Sequence, residues 1–194
     1  MVKFTLSLMV ALSVTMNTTV AQTWQSLDGP WCAKNVRQIA VSSDANNLIM
    51  YAADSGSTLM RWNDNAERWE PTPDVINHPR IVSCSNENAN LVVAGYIEGN
   101  YGVIKASTDA GDNWDYTPIN EQNLIPLSLA YAPANAMPGR VRMGTNPIEI
   151  DGYKRPLWKS SNNGATIIFD DNFKQDTYIT ALLFHPTNPD TIYV

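Results

Sequence analysis

The chain has 194 residues, a formal net charge of −6 and 44% hydrophobic residues, which places it among globular proteins and excludes the basic surface that nucleic acid requires. Six Trp, eight Tyr, 10 Gly and 12 Pro fit many short strands separated by turns, and they count against a helical bundle.

The N-terminal stretch MVKFTLSLMVALSVTMNTTVAQ has one early lysine, an apolar run from Phe4 to about Val14, and small and polar residues ending at Ala21. The apolar run is too short to span a bilayer, so residues 1–21 read as a signal peptide cleaved after Ala21. The mature chain, 22–194, is then expected outside the cytoplasm, secreted or periplasmic, with no membrane segment after cleavage. Export permits a disulfide, for which Cys32 and Cys84 are the only pair. No Cys/His cluster has zinc-site spacing, so no metal or other cofactor is expected; His78 and His185 each precede a proline and read as incidental.

Beyond the leader the chain repeats. Trp24, Trp69 and Trp114 are 45 residues apart. Between them recurs an apolar strand, a turn rich in Asn, Asp, Ala or Pro, and another apolar strand. The copies are VRQIAVSSDANNLIMYAA, RIVSCSNENANLVVAGY, LSLAYAPANAMPGRVRMGT and ITALLFHPTNPDTIYV. Taking Ile39, Val82, Leu129 and Leu182 as equivalent gives steps of 43, 47 and 53 residues. The first unit reads as four strands at about residues 37–41, 48–53, 59–62 and 68–70. Four short antiparallel strands every 45 residues or so are the pattern of a β-propeller blade, which has to stack on its neighbours to bury both faces. A sandwich lacks this period and a β-helix has a shorter one.

The stretch STDAGDNW, Ser107 to Trp114, lies between the third and fourth strands of the second unit. WNDNAERW in the first unit keeps Asp64 and Trp69; SSNNGATI in the third keeps Ser160 and Gly164 and has Asn162 for the aspartate. The pattern resembles the Asp-box, or BNR repeat, S-x-D-x-G-x-x-W, of sialidases, sortilin-like receptors, xyloglucanase-type hydrolases and photosystem II assembly propellers. Ser107, Asp109, Gly111 and Trp114 match all four of its specified positions. The resemblance implies a structural turn on the outer part of the blade, with the carboxylate capping backbone N–H groups, the glycine at positive φ and the tryptophan as an anchor. Calcium is a poor fit, since the spacing supplies too few oxygen ligands.

With the leader removed, a little under four units remain, whereas closed propellers take about four to eight. The chain is therefore expected to be a fragment, about 3.5 blades of six to eight, opening on an isolated fourth strand near Trp24. A fragment of that kind exposes strand edges.

Two enzymatic resemblances compete with a purely structural reading. Residues 46–71 are similar to the first blade of xyloglucanase-type endoglucanases, in Tyr51, Ala52, Asp54, Gly56, Arg61 and Trp62, with Ser57 in place of a second glycine. That resemblance implies Asp54 as general base of an inverting hydrolysis, whose acid would come from a second domain that this chain lacks; the alternative is a plain loop aspartate. A sialidase-like Arg-Ile-Pro stretch is matched only by Arg80 and Ile81. Trp31, Tyr96, Tyr101, Tyr153 and Trp158 are candidates for stacking on sugar rings or for packing. The expectation is a non-catalytic recognition or scaffold propeller whose partner is a polysaccharide or an extracellular protein, with a xyloglucanase-like hydrolase as the alternative.

Overall fold

The structure, a computed structural model, describes residues 36–194 except 45, 46, 55, 57, 87, 134–138 and 189. The expected leader, the strand near Trp24, Trp31 and Cys32 lie outside the described residues.

Three four-stranded antiparallel sheets follow one another along the chain. The first holds β1 (Val36–Asp44), β2 (Asn47–Asp54), β3 (Leu59–Asn63) and β4 (Arg68–Pro71), hydrogen-bonded in chain order. The second holds β5 (Ile81–Cys84), β6 (Val92–Glu98), β7 (Tyr101–Ser107) and β8 (Asp115–Gln122), again in chain order. In the third, β9 (Pro126–Tyr131) and β10 (Val141–Thr145) are separated in sequence from their partners by a small hairpin, β11 (Glu149–Ile150) with β12 (Tyr153–Lys154). The sheet then continues with β13 (Leu157–Ser160) and β14 (Ile168–Phe169). A fourth unit begins with β15 (Leu183–Phe184) paired to β16 (Ile192–Tyr193). The inserted hairpin lies within the 53-residue step that separates Leu129 from Leu182.

Strand alternation explains how the sheets stack. Tyr51, Ala53 and Leu59 of the first sheet share a cluster with Val82, Val92, Ala94 and Val103 of the second. From the other face of the second sheet, Val93, Ile104 and Ala106 join Leu129, Val141, Met143 and Trp158 of the third. Leu157 of the third sheet meets Ile179, Leu182 and Ile192. These three cores are each shared by two units, whereas Ala52, Met60 and Trp69 cluster within the first. Burying an aliphatic side chain contributes about 1.5–3 kcal/mol, and here that burial requires the neighbouring sheet. Val82, Leu129 and Leu182 are buried against the preceding unit, whereas Ile39, their counterpart in β1, is exposed. The architecture is all-β, with the four-stranded antiparallel blades of a β-propeller.

Candidate ligand-binding channel

The opening strands of the four units, β1, β5, β9 and β15, run beside one another, and two cavities open among them. The cavity where these strands begin is about 550 Å³ and is lined by Arg37, Gln38, Arg80, Ser128 and Thr180 with apolar neighbours. The opposite one is about 530 Å³, with Gln38, Ser83, Cys84, Asn86 and Tyr131 among its lining. Arg80 Nε donates to the Pro126 carbonyl at 3.4 Å, and burial, reinforced by the nearby Arg37 charge, lowers its pKa. The first mouth is therefore cationic. In the second, burial pushes the Cys84 thiol up to about 12 and raises the Tyr131 phenol, whose hydroxyl is buried without a hydrogen-bond partner. Amides, hydroxyls and two guanidinium groups set around these open cavities are hydrogen-bonding groups suited to recognition.

Inter-sheet hydrogen bonds fix this frame. Gln38 Oε1 accepts from the Val82 N–H at 3.1 Å, and Ser42 Oγ donates to the Ser85 carbonyl at 2.7 Å. Ser128 Oγ donates to the Ile179 carbonyl at 2.8 Å.

Asp54 ends β2 opposite Val36. It is buried, and its Oδ1 accepts from the Gly56 N–H at 2.9 Å. Tyr51 is packed in the core shared with the second unit, and Ala52 packs against Met60 and Trp69 of its own sheet. Arg61 reaches across to the second unit, donating to the Ala110 carbonyl at 2.6 Å and to Asp112 Oδ1 at 2.8 Å. Of the aromatic candidates, Tyr96 and Trp158 are buried in the shared cores. Tyr101 and Tyr153 are exposed; Tyr101 accepts from Gln122 Nε2, and Tyr153 lies beneath the Lys174 ammonium at 4.3 Å.

The β7–β8 turn is closed by side chains. Ser107 Oγ donates to Asp109 Oδ1 and accepts from the Gly111 N–H at 2.9 Å. Asp109 accepts from the Asn113 backbone at 2.9 Å and from its side-chain amide at 2.7 Å. These bonds hold the Asp109 carboxyl down to about 2, the Asn113 side chain contributing most. Trp114, buried, donates its indole N–H to the Gly111 carbonyl. The β13–β14 turn repeats the set: Ser160 bonds Asn162 and the Gly164 N–H, and Asn162 caps the Thr166 N–H. Ala110 and Gly111 in one turn, Asn163 and Gly164 in the other, all have positive φ.

The first unit differs. Asp64 is exposed and accepts the Trp62 indole N–H at 2.7 Å, while Asn63 caps Asn65 and Ala66. Asp64 therefore does not make the bonds of Asp109, because the β3–β4 ladder runs on to Asn63 opposite Arg68 and leaves a tighter turn. Trp69 is buried with Ala52 and Met60.

Gln38, Ser83 and Asn86, which line the channel, carried no motif in the sequence. Their signal was position alone: polar residues on or just beyond the first strand of a unit.

These shared cores and sheets define a class, the repeating-blade β-propellers. No family model and no curated protein matches the sequence. Solved structures do match the fold. A GH74 enzyme of Niastella koreensis aligns at 19% identity and TM-score 0.56, over 77% of this chain and 24% of that one. An ancestral GH74 enzyme aligns at 18% and 0.61, over 89% and 23%, and the GH74 xyloglucanase of Xanthomonas campestris at 15% and 0.60, over 87% and 28%. At these identities the likeness is one of fold, and the chain spans about a quarter of the length of those enzymes. Among the described residues no helix is long and apolar enough to cross a membrane.

Proposed function

We propose that the chain is part of an exported β-propeller that recognises a glycan at the channel formed by β1, β5, β9 and β15, without hydrolysing it through its own residues. The observation that carries this reading is the channel itself: four opening strands converge on two open cavities whose polar lining includes Arg37, Gln38 and Arg80 at one mouth and Ser83 and Asn86 at the other. Such cavities fall in the size range of small-ligand sites. The likeness of fold to GH74 enzymes, one of them a xyloglucanase, makes a β-glucan the first ligand to try. The burial of Asp54 and its bond to Gly56 favour a structural role for that residue over a catalytic one. The Ser107–Asp109–Gly111–Trp114 turn and its counterpart at Ser160 and Gly164 are read as scaffold, since their polar groups are spent on the turn itself.

The test is isothermal titration of the purified chain with a xyloglucan oligosaccharide, together with a reducing-end assay on the polymer. Saturable binding without turnover is expected, weakened about fivefold to tenfold by Asn86→Ala or Arg37→Ala, the equivalent of one hydrogen bond. Turnover that Asp54→Asn abolishes would establish the hydrolase alternative in its place. No binding to any β-glucan would refute the glycan reading.

A further inference from the structure

The turn between β13 and β14 holds the one Asn-Gly pair of the chain, Asn163–Gly164. At such a pair the asparagine side chain closes readily on its own backbone, because the glycine has no side chain to hinder its nitrogen and rotates freely. The second unit's turn has Ala110–Gly111 at these positions, all four residues being at positive φ. The backbone is held alike in both turns: the Ala110 N–H donates to the Asn90 carbonyl at 2.9 Å and the Asn163 N–H to the Gly139 carbonyl at 2.7 Å. Asparagine tolerates the left-handed region better than alanine, which accounts for its backbone. It does not account for the side chain. Asn163 Oδ1 is buried with no hydrogen-bond partner among the described residues, 3.0 Å from where a Cβ on Gly139 would stand.

Ring closure needs the Gly164 nitrogen to lose its proton and reach Asn163 Cγ, and the folded chain restrains Gly164 in three ways. Its N–H donates to Ser160 Oγ at 2.9 Å. Its carbonyl accepts from Thr117 Oγ1 of the second unit at 3.1 Å. Its Cα lies against the second sheet, where a Cβ would be 3.1 Å from the Val93 side chain and 3.4 Å from that of Ala106. Two of the three restraints belong to the neighbouring unit, so closure requires the turn to leave its place on that sheet.

We propose that Asn163 is a site of spontaneous deamidation governed by the docking of this turn on the second unit, and that the modification makes undocking permanent. In the undocked turn the Gly164 nitrogen attacks Asn163 Cγ. The N–Cγ bond forms, the Cγ–Nδ2 bond breaks, and the amide nitrogen leaves as ammonia with the proton that Gly164 gave up. Water then opens the succinimide. Aspartate results where the new N–Cγ bond breaks, and isoaspartate where the original peptide C–N bond breaks. Either product puts a carboxylate in place of a neutral amide whose oxygen was already buried without a partner, and isoaspartate also lengthens the main chain. Burying an unpaired charge costs more than burying an amide, so the modified turn returns to its place less readily.

The test is incubation of the full chain at pH 8, followed by tryptic digestion and fragmentation of the peptide spanning residues 160–174 to assign the mass gain to Asn163. The same synthetic peptide is the unprotected reference. Deamidation in the native chain should be about tenfold or more slower than in the peptide, and should approach the peptide's rate in urea. Ser160→Ala and Thr117→Val should each accelerate it about fivefold, the equivalent of one hydrogen bond. Ser107→Ala, the counterpart of Ser160 in the second unit's turn, should do so less. Melting curves report whether each variant is folded, and Thr117→Val is the second probe should Ser160→Ala unfold. Asn163→Asp, which carries one of the two products, should lower the melting temperature. Equal rates in native chain and peptide, or unchanged rates in folded Ser160→Ala and Thr117→Val, would overturn the proposal. So would a urea-unfolded chain as slow as the native one, or equal acceleration by Ser107→Ala. An unaltered melting temperature in Asn163→Asp would refute the permanence.

Discussion

Gly111→Ala tests whether the β7–β8 turn joins two units or merely closes one. Gly111 has φ +82°, and a Cβ placed on it would stand 3.2 Å from the Trp114 ring and 3.3 Å from the Tyr51 ring of the preceding unit. Gly152, in the β11–β12 hairpin, has a similar φ of +76° but nothing within 4 Å of the same Cβ. Both substitutions force a left-handed alanine, costing about 1–2 kcal/mol, and both recover about 0.4–1 kcal/mol from the stiffer unfolded chain. Only Gly111→Ala adds overpacking against two buried rings, about 1–3 kcal/mol. The expected losses are therefore about 2–3 kcal/mol for Gly111→Ala and about 1 kcal/mol or less for Gly152→Ala. Urea unfolding followed by tryptophan fluorescence measures both, the midpoint shifting at constant slope. Equal losses would refute the inter-unit contact, and a loss below about 0.5 kcal/mol at Gly111 would refute the strain as well.

Arg61→Ala should destabilise by about 1–2 kcal/mol, because it removes bonds to the Ala110 carbonyl and Asp112; a double-mutant cycle with Asp112→Ala should give a smaller coupling, that ion pair being partly exposed. The Asp109 carboxyl, at about 2 when folded against an ordinary 3.8, lends stability that is complete above pH 4 and is lost as pH falls toward 2. Glu70 and Asp171 are shifted in the same direction by their partners Asn63 and Arg155. Asp109→Asn should accordingly flatten the fall in unfolding free energy between pH 4 and pH 2, and an unchanged slope would count against the capping bonds. Cys84, buried and with its thiol pushed up to about 12, should resist iodoacetamide at pH 8 in the native chain and react once urea unfolds it; prompt native labelling would contradict its burial.

The repeat was legible because strand alternation and turn residues recur whatever the loop lengths. The first unit's strands, read at about residues 37–41, 48–53, 59–62 and 68–70, form at Val36–Asp44, Asn47–Asp54, Leu59–Asn63 and Arg68–Pro71. The equivalence of Val82, Leu129 and Leu182 also holds in space, each packing back on the unit before it. What stayed hidden depends on neighbours distant in sequence. Asp64 has the spacing of Asp109, but whether a carboxylate caps a turn depends on where the ladder stops, and two further pairs, Trp62 with Trp69 and Asn63 with Arg68, redirect it to an indole. Arg142 and Lys159 look like the ordinary polar alternation of strands next to Val141 and Trp158. Only the cross-strand register brings them together, and only comparison with Val93 and Ala106 shows that apolar residues stand at that position one unit earlier. Arg155 was silent for the same reason: it pairs with Asp171 and lies over the Phe169 ring at 4.0 Å, contacts made by the chain's return after the inserted hairpin.

Since the cores that join the sheets are shared between units, the contacts of Tyr51 and Thr72 with Gly111, and of Val93, Ala106 and Thr117 with the Gly164 turn, decide whether neighbouring blades unfold together. A blade that buried its own core would open alone; these sheets each expose both faces when separated, so losing one interface also uncovers half of the next. Thr117→Val isolates this coupling, because it keeps the volume in the second unit while removing the hydroxyl that bonds Gly164 and Ala165 of the third. Burial of those carbonyls without a donor should cost about 1–3 kcal/mol. In native-state hydrogen exchange the amides of β6, β7, β10 and β13 should lose protection by the same amount. If only β13 and its turn loosened while β6 kept its protection, the units would be independent, and the channel would need some other source of rigidity to hold Arg37, Arg80 and Asn86 in place.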